Sequence, residues 1–211
     1  MSEVRLAMMG AADVEAAGAL VAEAFRTEPL TCSQFDLEDP RTRHLFARVI
    51  ASQTAHHLAA GHPALGAYDG PRLVAVALLS KPGRPSGAGT GAWMVLRSFG
   101  LLVPLLLRYR WRSLGVLPVV RKPRGVPSPH HTLEILAVDP VYQRRGLARR
   151  LLAWAAEIAA SDSAARGIYL QTAGERNRAV YERLGYTALE ARTRRGITGY
   201  HMFRPRQGPV A

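Results

Sequence analysis

Residues 138–150 read Val-Asp-Pro-Val-Tyr-Gln-Arg-Arg-Gly-Leu-Ala-Arg-Arg, lying between an apolar run and a long amphipathic segment. A glycine among four arginines at such a turn has an evident chemistry, the binding of an anion. A helix that opens near Gly146 leaves its first backbone N–H groups without internal partners, and those donors together with the helix dipole favour negative charge. Gly146 has no side chain and Ala148 keeps the next turn nearly bare, so a phosphate oxygen can approach the backbone from Arg145 to Arg149. Arg144, Arg145 and Arg149 can add direct charge. On these residues alone the turn could cradle phosphate, touch nucleic acid, or be a solvated helix start.

Proton-transfer chemistry has several candidates. Glu134 stands in the apolar stretch "HHTLEILAVDP", where strand alternation aims it at one face with Thr132 and Leu136. A carboxylate in such a strand is costly unless it serves a site or is paired, and the plainer alternative is an edge-facing, solvated glutamate. His130 and His131 could relay a proton, having an ordinary pKa of about 6.5; a solvated strand start is the simpler reading of both. His44, His56, His57 and His62 read as surface or substrate-pocket residues and not as metal ligands. Tyr181, in "NRAVYERLGY", is either a packing residue under Leu184 or a functional phenol. The lone Cys32 rules out an intramolecular disulfide and a cysteine-based metal cluster, and it suits a reducing compartment.

The elements that must position these residues follow from periodicity. Residues 4–9 read as a strand and 11–29 as a helix, with Asp13 near its start and Pro29 after its end. Residues 39–63 repeat the helical pattern, with Asp39 and Pro40 as start signals and Gly61 as a stop. Two apolar runs around Asp69-Gly70-Pro71 predict a hairpin, and residues 81–91 a Pro/Gly/Ser-rich loop. Residues 92–129 read as two short amphipathic helices broken near Gly100 to Pro104. From His130 onward the order is strand, helix from Gly146, strand "RGIYLQT", helix "AGERNRAVYERLG", then a strand pair turning near Arg195-Gly196.

Length and composition point to one domain: 211 residues, 48% hydrophobic, with no internal repeat. The net charge of +12 attracts polyanions, yet the arginines are scattered from Arg5 to Arg206 without an aromatic-interleaved stripe, which argues against nucleic acid as a partner. The apolar run Val95 to Leu107 is interrupted by Arg97 and Pro104 and is shorter than the roughly 20 residues of a membrane span. The start "MSEVRLAMMGAADVEAAG" lacks the pattern of a signal peptide, so a cytoplasmic location is expected.

The spacing Gln143-x-x-Gly146-x-Ala148, set after a strand and opening a helix, resembles the acyl-CoA signature Q/R-x-x-G-x-G/A of the GNAT superfamily of N-acetyltransferases. "NRAVYERLGY" is similar to that family's second motif, with Asn177, Tyr181 and Gly185 in order. The likeness is strongest from His130 to Phe203, where it looks most like the branch containing puromycin N-acetyltransferase; the N-terminal third matches only in element order. Ala148 departs from the more frequent second glycine and leaves less room there.

This resemblance implies an α/β (α+β) fold: a mixed, mainly antiparallel central sheet with splayed middle strands and helices on both faces. One N-acetyltransferase domain would span residues 1–211, with an N-terminal part (4–80), a loop and helical insert (81–129) and a cofactor core (130–204). It implies acetyl-CoA as co-substrate without a metal. Backbone contacts to the pantetheine arm would come from Leu136, Ala137 and Val138, and pyrophosphate contacts from Gln143, Arg144, Arg145, Gly146, Leu147, Ala148 and Arg149. Asn177 would touch the cofactor arm, and Tyr181 would protonate the departing thiolate. An alkyl amine, with a pKa of about 10, must lose a proton before it attacks, and Glu134, a histidine or a water chain is the candidate base. The expected activity is acetyl transfer to a small-molecule primary amine. Acetylation of a protein N-terminus or lysine, and a non-catalytic acyl-CoA-binding regulator, are the alternatives. The apolar insert, residues 93–127, would serve core or dimer packing, so a homodimer is left open, or wall a bulky acceptor.

Overall fold

The computed structural model describes residues 4–83 and 103–206. Strand β1 (Arg5–Met8) leads to helix α1 (Val14–Ala24). The helix expected from residue 11 up to Pro29 is α1 with a 3-10 turn at each end, and Pro29, expected as a stop, also opens a second helix, α2 (Pro29–Gln34). Proline has no N–H to lose at the first helical position, and Glu28 caps that turn by accepting from the N–H groups of Leu30 and Thr31, at 3.2 and 2.6 Å. Asp39 does the same for α3 (Pro40–Ala59), and Gly61, at φ 71°, lets the chain leave. The expected hairpin is β2 (Ala64–Asp69) with β3 (Arg72–Ser80), Asp69 lying opposite Arg72.

The loop expected over 81–91 lies outside the described residues from 84 on, as do Trp93 and Phe99. Residues 103–107 are helical, and a 3-10 segment (Trp111–Val116) runs into a short helix, α4 (Leu117–Val120). Then come β4 (His131–Val138), α5 (Leu147–Ser161), β5 (Gly167–Ala173), α6 (Glu175–Glu182), β6 (Thr187–Arg194) and β7 (Ile197–Pro205). Arg195 and Gly196 make the last turn at positive φ, the geometry a two-residue hairpin requires. Among the described residues no helix is long and apolar enough to cross a membrane.

The seven strands form one sheet in the order β1-β2-β3-β4-β5-β7-β6. Every pairing is antiparallel except β4 with β5, which is parallel and confined to His131–Leu133 against Ile168–Leu170. β3 holds β4 as far as Val138, and β7 holds β5 as far as Ala173, so the two middle strands part beyond Leu133. Helix α5 covers one face, burying Leu147, Leu151, Leu152 and Ala155 against Leu133, Ile168 and Met202. Helices α1 and α3 cover the opposite face over β2 to β4.

The end of the insert covers that same opposite face over β5 and β7. Val126 packs on Tyr169 and Phe203, and Arg192 reaches from β6 to the carbonyl oxygens of Pro118 and Arg121, at 3.0 and 2.7 Å. Phe46, Phe35, Tyr109 and Trp111 stack tilted or edge-on in succession, tying the insert to α2 and α3.

Two sequence expectations about histidine are overturned. His131 is buried, not a solvated strand start, and bonds Asp162 through Nε2 at 3.0 Å. His57 and His62 are buried as well, which overturns the surface alternative of their surface-or-pocket reading, with rings 5.0 Å apart. His57 Nε2 faces the Pro63 carbonyl oxygen, which can only accept, so that nitrogen carries the proton. His201, fully buried, donates from Nε2 to Val119 O and accepts at Nδ1 from the Tyr169 hydroxyl.

Two predictions follow from this packing. A Cβ on Gly18 would lie 2.4 Å from the Ala47 carbonyl oxygen, so Gly18→Ala must push α1 from α3. Overpacking of this kind costs about 1–3 kcal/mol, to be read as a lower urea midpoint. Burial holds His57, His131 and His201 below their usual 6.5. These groups stay neutral in the fold while the unfolded chain takes up protons, so stability is kept above about pH 7 and falls as pH drops below about 6.5. Melting temperatures measured between those values and about pH 5 should decline; a flat profile contradicts the assignment.

Candidate functional site

The turn after β4 is pinned on three sides. Asp139 receives the N–H of Val141 on one carboxylate oxygen and the Arg72 guanidinium on the other, at 2.9 and 2.7 Å. The Tyr142 hydroxyl donates to Asp69 at 2.7 Å, which ties the turn to the β2–β3 hairpin. Arg145 lies 4.8 Å over the Tyr142 ring and also reaches Val141 O. With the turn so held, Arg144 and Gly146 both take positive φ, 63° and 77°, and α5 begins without a capping side chain.

This start suits an anion. A Cβ on Gly146 would meet nothing nearer than an Arg149 nitrogen at 3.8 Å, so the space before the first N–H groups is open. Leu147 is only 2% exposed, which leaves its backbone alone to serve the turn. Ala148 is half-buried, and Arg144 and Arg149 are exposed beside it. Gln143 turns back, its amide nitrogen 3.4 Å from Val138 O. Arg150 points elsewhere, donating to Val4 O on the far side of the helix start at 3.0 Å. Gly146 and the open N–H groups form a cradle that a diphosphate fits.

The strand leading into that cradle has a free edge. Leu136, Ala137 and Val138 pair with Ala77, Val76 and Ala75 on β3, and toward β5 they have no strand partner among the described residues. Across the gap Asn177 donates from Nδ2 to Ala173 O, at 3.1 Å, at the end of β5.

Register identifies where the gap begins. Leu78 pairs with Ile135 and Leu79 with Leu133, so Glu134 is the extra residue of a β-bulge. A bulge reverses the alternation of faces beyond it. Thr132 and Glu134 lie with Ile135 and Ala137 on the α1/α3 side, whereas Leu136 and Val138 pack toward α5. The expectation that Leu136 shares the face of Glu134 is thereby corrected. So is the expectation of a carboxylate set among apolar neighbours, because Glu134 is exposed and lines an open cavity of about 470 Å³ with Ser80, Lys81, Lys122, His130 and Thr132.

Tyr181 lies on the other face. Its ring packs against the α5 core and edge-on to Tyr186 at 5.6 Å, and burial pushes the phenol well above its usual 10. Such a group is protonated at neutral pH and can give a proton. Glu134 and Tyr181 therefore stand on opposite faces, at the strands whose parting opens the sheet.

Lys122 is a site residue that the sequence pattern did not reveal. His130 Nδ1 donates to Pro127 O at 2.6 Å, so its Nε2 is the acceptor for the Lys122 ammonium, which also lies 4.8 Å over the Tyr169 ring. His130 is half-buried between Tyr169 and Phe203, not a solvated strand start. Lys122 arrives from the insert, and no local spacing connects it to β4. Among the described residues no group of three or more His, Cys, Asp or Glu could hold a metal ion.

Comparison with known proteins agrees with this geometry. The structure described as histone acetyltransferase HPA2 and related acetyltransferase from Corynebacterium glutamicum is 20% identical, with a TM-score of 0.68 over 100% of each chain. The ribosomal-protein-S18-alanine N-acetyltransferase of Escherichia coli is 16% identical, with a TM-score of 0.57 over 99% of each chain. A putative GNAT-family acetyltransferase from Desulfovibrio desulfuricans is 16% identical, with a TM-score of 0.58 over 97% of this chain and 100% of its own. Identities this low speak for the fold alone. No curated protein matches the sequence. The sequence model described as Acetyltransferase (GNAT) family matches residues 22–186, a span that holds the bulge, the cradle and Tyr181. The chain belongs to the GNAT acetyltransferase family, acyltransferases that draw on acetyl-CoA.

Proposed function

We propose that the chain transfers the acetyl group of acetyl-CoA to a primary amine of a small-molecule acceptor, by direct attack within a ternary complex. The observation that carries this is a continuous path: the uncapped start of α5, the free edge of β4, and the bulge at Glu134 opening on a cavity. Acetyl-CoA supplies an acetyl group activated as a thioester. The N–H groups from Gly146 to Arg149 hold the diphosphate, with Gln143, Arg144 and Arg145 around it. Leu136, Ala137 and Val138 offer their backbone to the pantetheine amides as a neighbouring strand would, and Asn177 borders the same arm.

Glu134 takes the amine proton, directly or through water, from the α1/α3 side. Tyr181 delivers its proton to the departing thiolate from the other side. The thioester carbonyl oxygen, where negative charge grows, faces the β4 backbone beside the bulge. The cavity supports a small acceptor, since about 470 Å³ is within the range of small-ligand sites. The single Cys32 suits work in the reducing cytoplasm.

Thiol release and thermal shift with acetyl-CoA, against a library of amines and antibiotics with peptide amines as controls, test this reading directly. Binding of acetyl-CoA without thiol release from any amine would leave a sensor in its place. Gly146→Val puts a β-branched side chain at φ 77° and into the cradle, so the acetyl-CoA Kd by calorimetry should rise more than about tenfold. Arg150→Ala should leave that Kd unchanged, its guanidinium being engaged with Val4 O; the reverse pattern overturns the cradle. Tyr181→Phe should lower kcat by roughly 10²- to 10⁴-fold with little change in acetyl-CoA affinity. Equal turnover of the two proteins across pH removes Tyr181 from the mechanism.

A further inference from the structure

Among the described residues, the cavity beside Glu134 is lined by two cations, Lys81 and Lys122, against that one carboxylate. Lys122 is held in place: the proton on His130 Nδ1 goes to Pro127 O, which leaves Nε2 to receive one ammonium proton, and the Tyr169 ring lies beneath the charge. Burial keeps His130 below its usual 6.5, so it remains a neutral acceptor and adds no charge of its own. A flexible lysine is thus ordered by a ring nitrogen and an aromatic face, with its other N–H donors available to the cavity. Burial lowers the pKa of the Lys122 ammonium while the Glu134 carboxylate works against that, and both groups line one acceptor-sized space.

We propose that the acceptor carries a carboxylate as well as its amine, and that Lys122 is the residue that selects it. This rests on the acetyl-transfer reading above. With the amine at Glu134, a carboxylate on the same small molecule reaches the ordered ammonium at the cavity wall, with Lys81 as a second cation. A polyamine finds like charge in the same place. The two lysines also disfavour a protonated amine at the floor, which raises the fraction of acceptor able to attack.

The test uses matched pairs of acceptors, amino acids against their amides, with a polyamine as the third arm. Wild-type kcat/KM should favour the acid over the amide by roughly tenfold or more, the worth of one charged hydrogen bond. Lys122→Met should abolish the preference, chiefly by raising KM for the acid, with the acetyl-CoA Kd unchanged; Lys122→Arg should retain part of it. Wild-type preference for amides or polyamines overturns the proposal, and so does an undiminished acid preference in Lys122→Met melting at the wild-type temperature. If no acceptor releases thiol, the transfer reading fails by itself. Thermal stabilisation by the acid then decides the role of Lys122: seen in wild type and lost in Lys122→Met, it upholds carboxylate recognition, and its absence in wild type ends it.

Discussion

Three residue pairs of parallel ladder, His131–Leu133 against Ile168–Leu170, join two antiparallel half-sheets, and the site exists because the ladder stops there. β4 continues with β3 while β5 continues with β7, so each strand follows a different partner once the bulge at Glu134 has turned the first away. Backbone donors and acceptors along the parted edge need water or a ligand in place of a strand. An extended amide-bearing chain meets that need, and the open start of α5 stands at the end of the same strand to take a phosphate.

The bulge also divides labour between the faces. Leu136 and Val138 pack toward α5, while Glu134 stays with Thr132 on the side covered by α1, α3 and the insert. Tyr181 belongs to the first side and Glu134 to the second. One inserted residue thus places Glu134 and Tyr181 on opposite faces of the sheet, where β4 and β5 part.

The turn at Gly146 was legible in the sequence because it is local. Strand, turn glycine and amphipathic helix occupy consecutive residues, so order and spacing suffice to place Gly146 and its neighbours. Asn177 and Tyr181 share one helix for the same reason. The cavity beside Glu134 was not legible, because it is assembled from distant segments. Lys122 reaches Tyr169 from the insert, Tyr169 reaches His201 across the β5–β7 pairing, and no period within one element relates them. The face of Leu136 was misread because strand alternation counts residues evenly and a bulge does not. Pro29 was taken only as a stop, although the proline that ends one helix is suited to begin another. His131 looked like a polar strand end until Asp162, 31 residues later, supplied the partner that makes its burial tolerable.

The clamp that holds the insert has a consequence for the order in which the molecule is made. His201 bonds Val119 across a separation of 82 residues, Arg192 bonds Arg121 across 71, and a Cβ on Gly199 would strike Val119. These three anchors lie on β6 or β7, whereas the pins of the turn before Gly146, Tyr142 on Asp69 and Asp139 with Arg72 and Val141, all lie earlier in the chain. On the ribosome the pins of that turn can therefore form before the final hairpin emerges, and the contacts of the insert with β6 and β7 form last. A chain clipped before β6 keeps the pins of the turn but loses the bonds that hold Val119 and Arg121 of the insert in place.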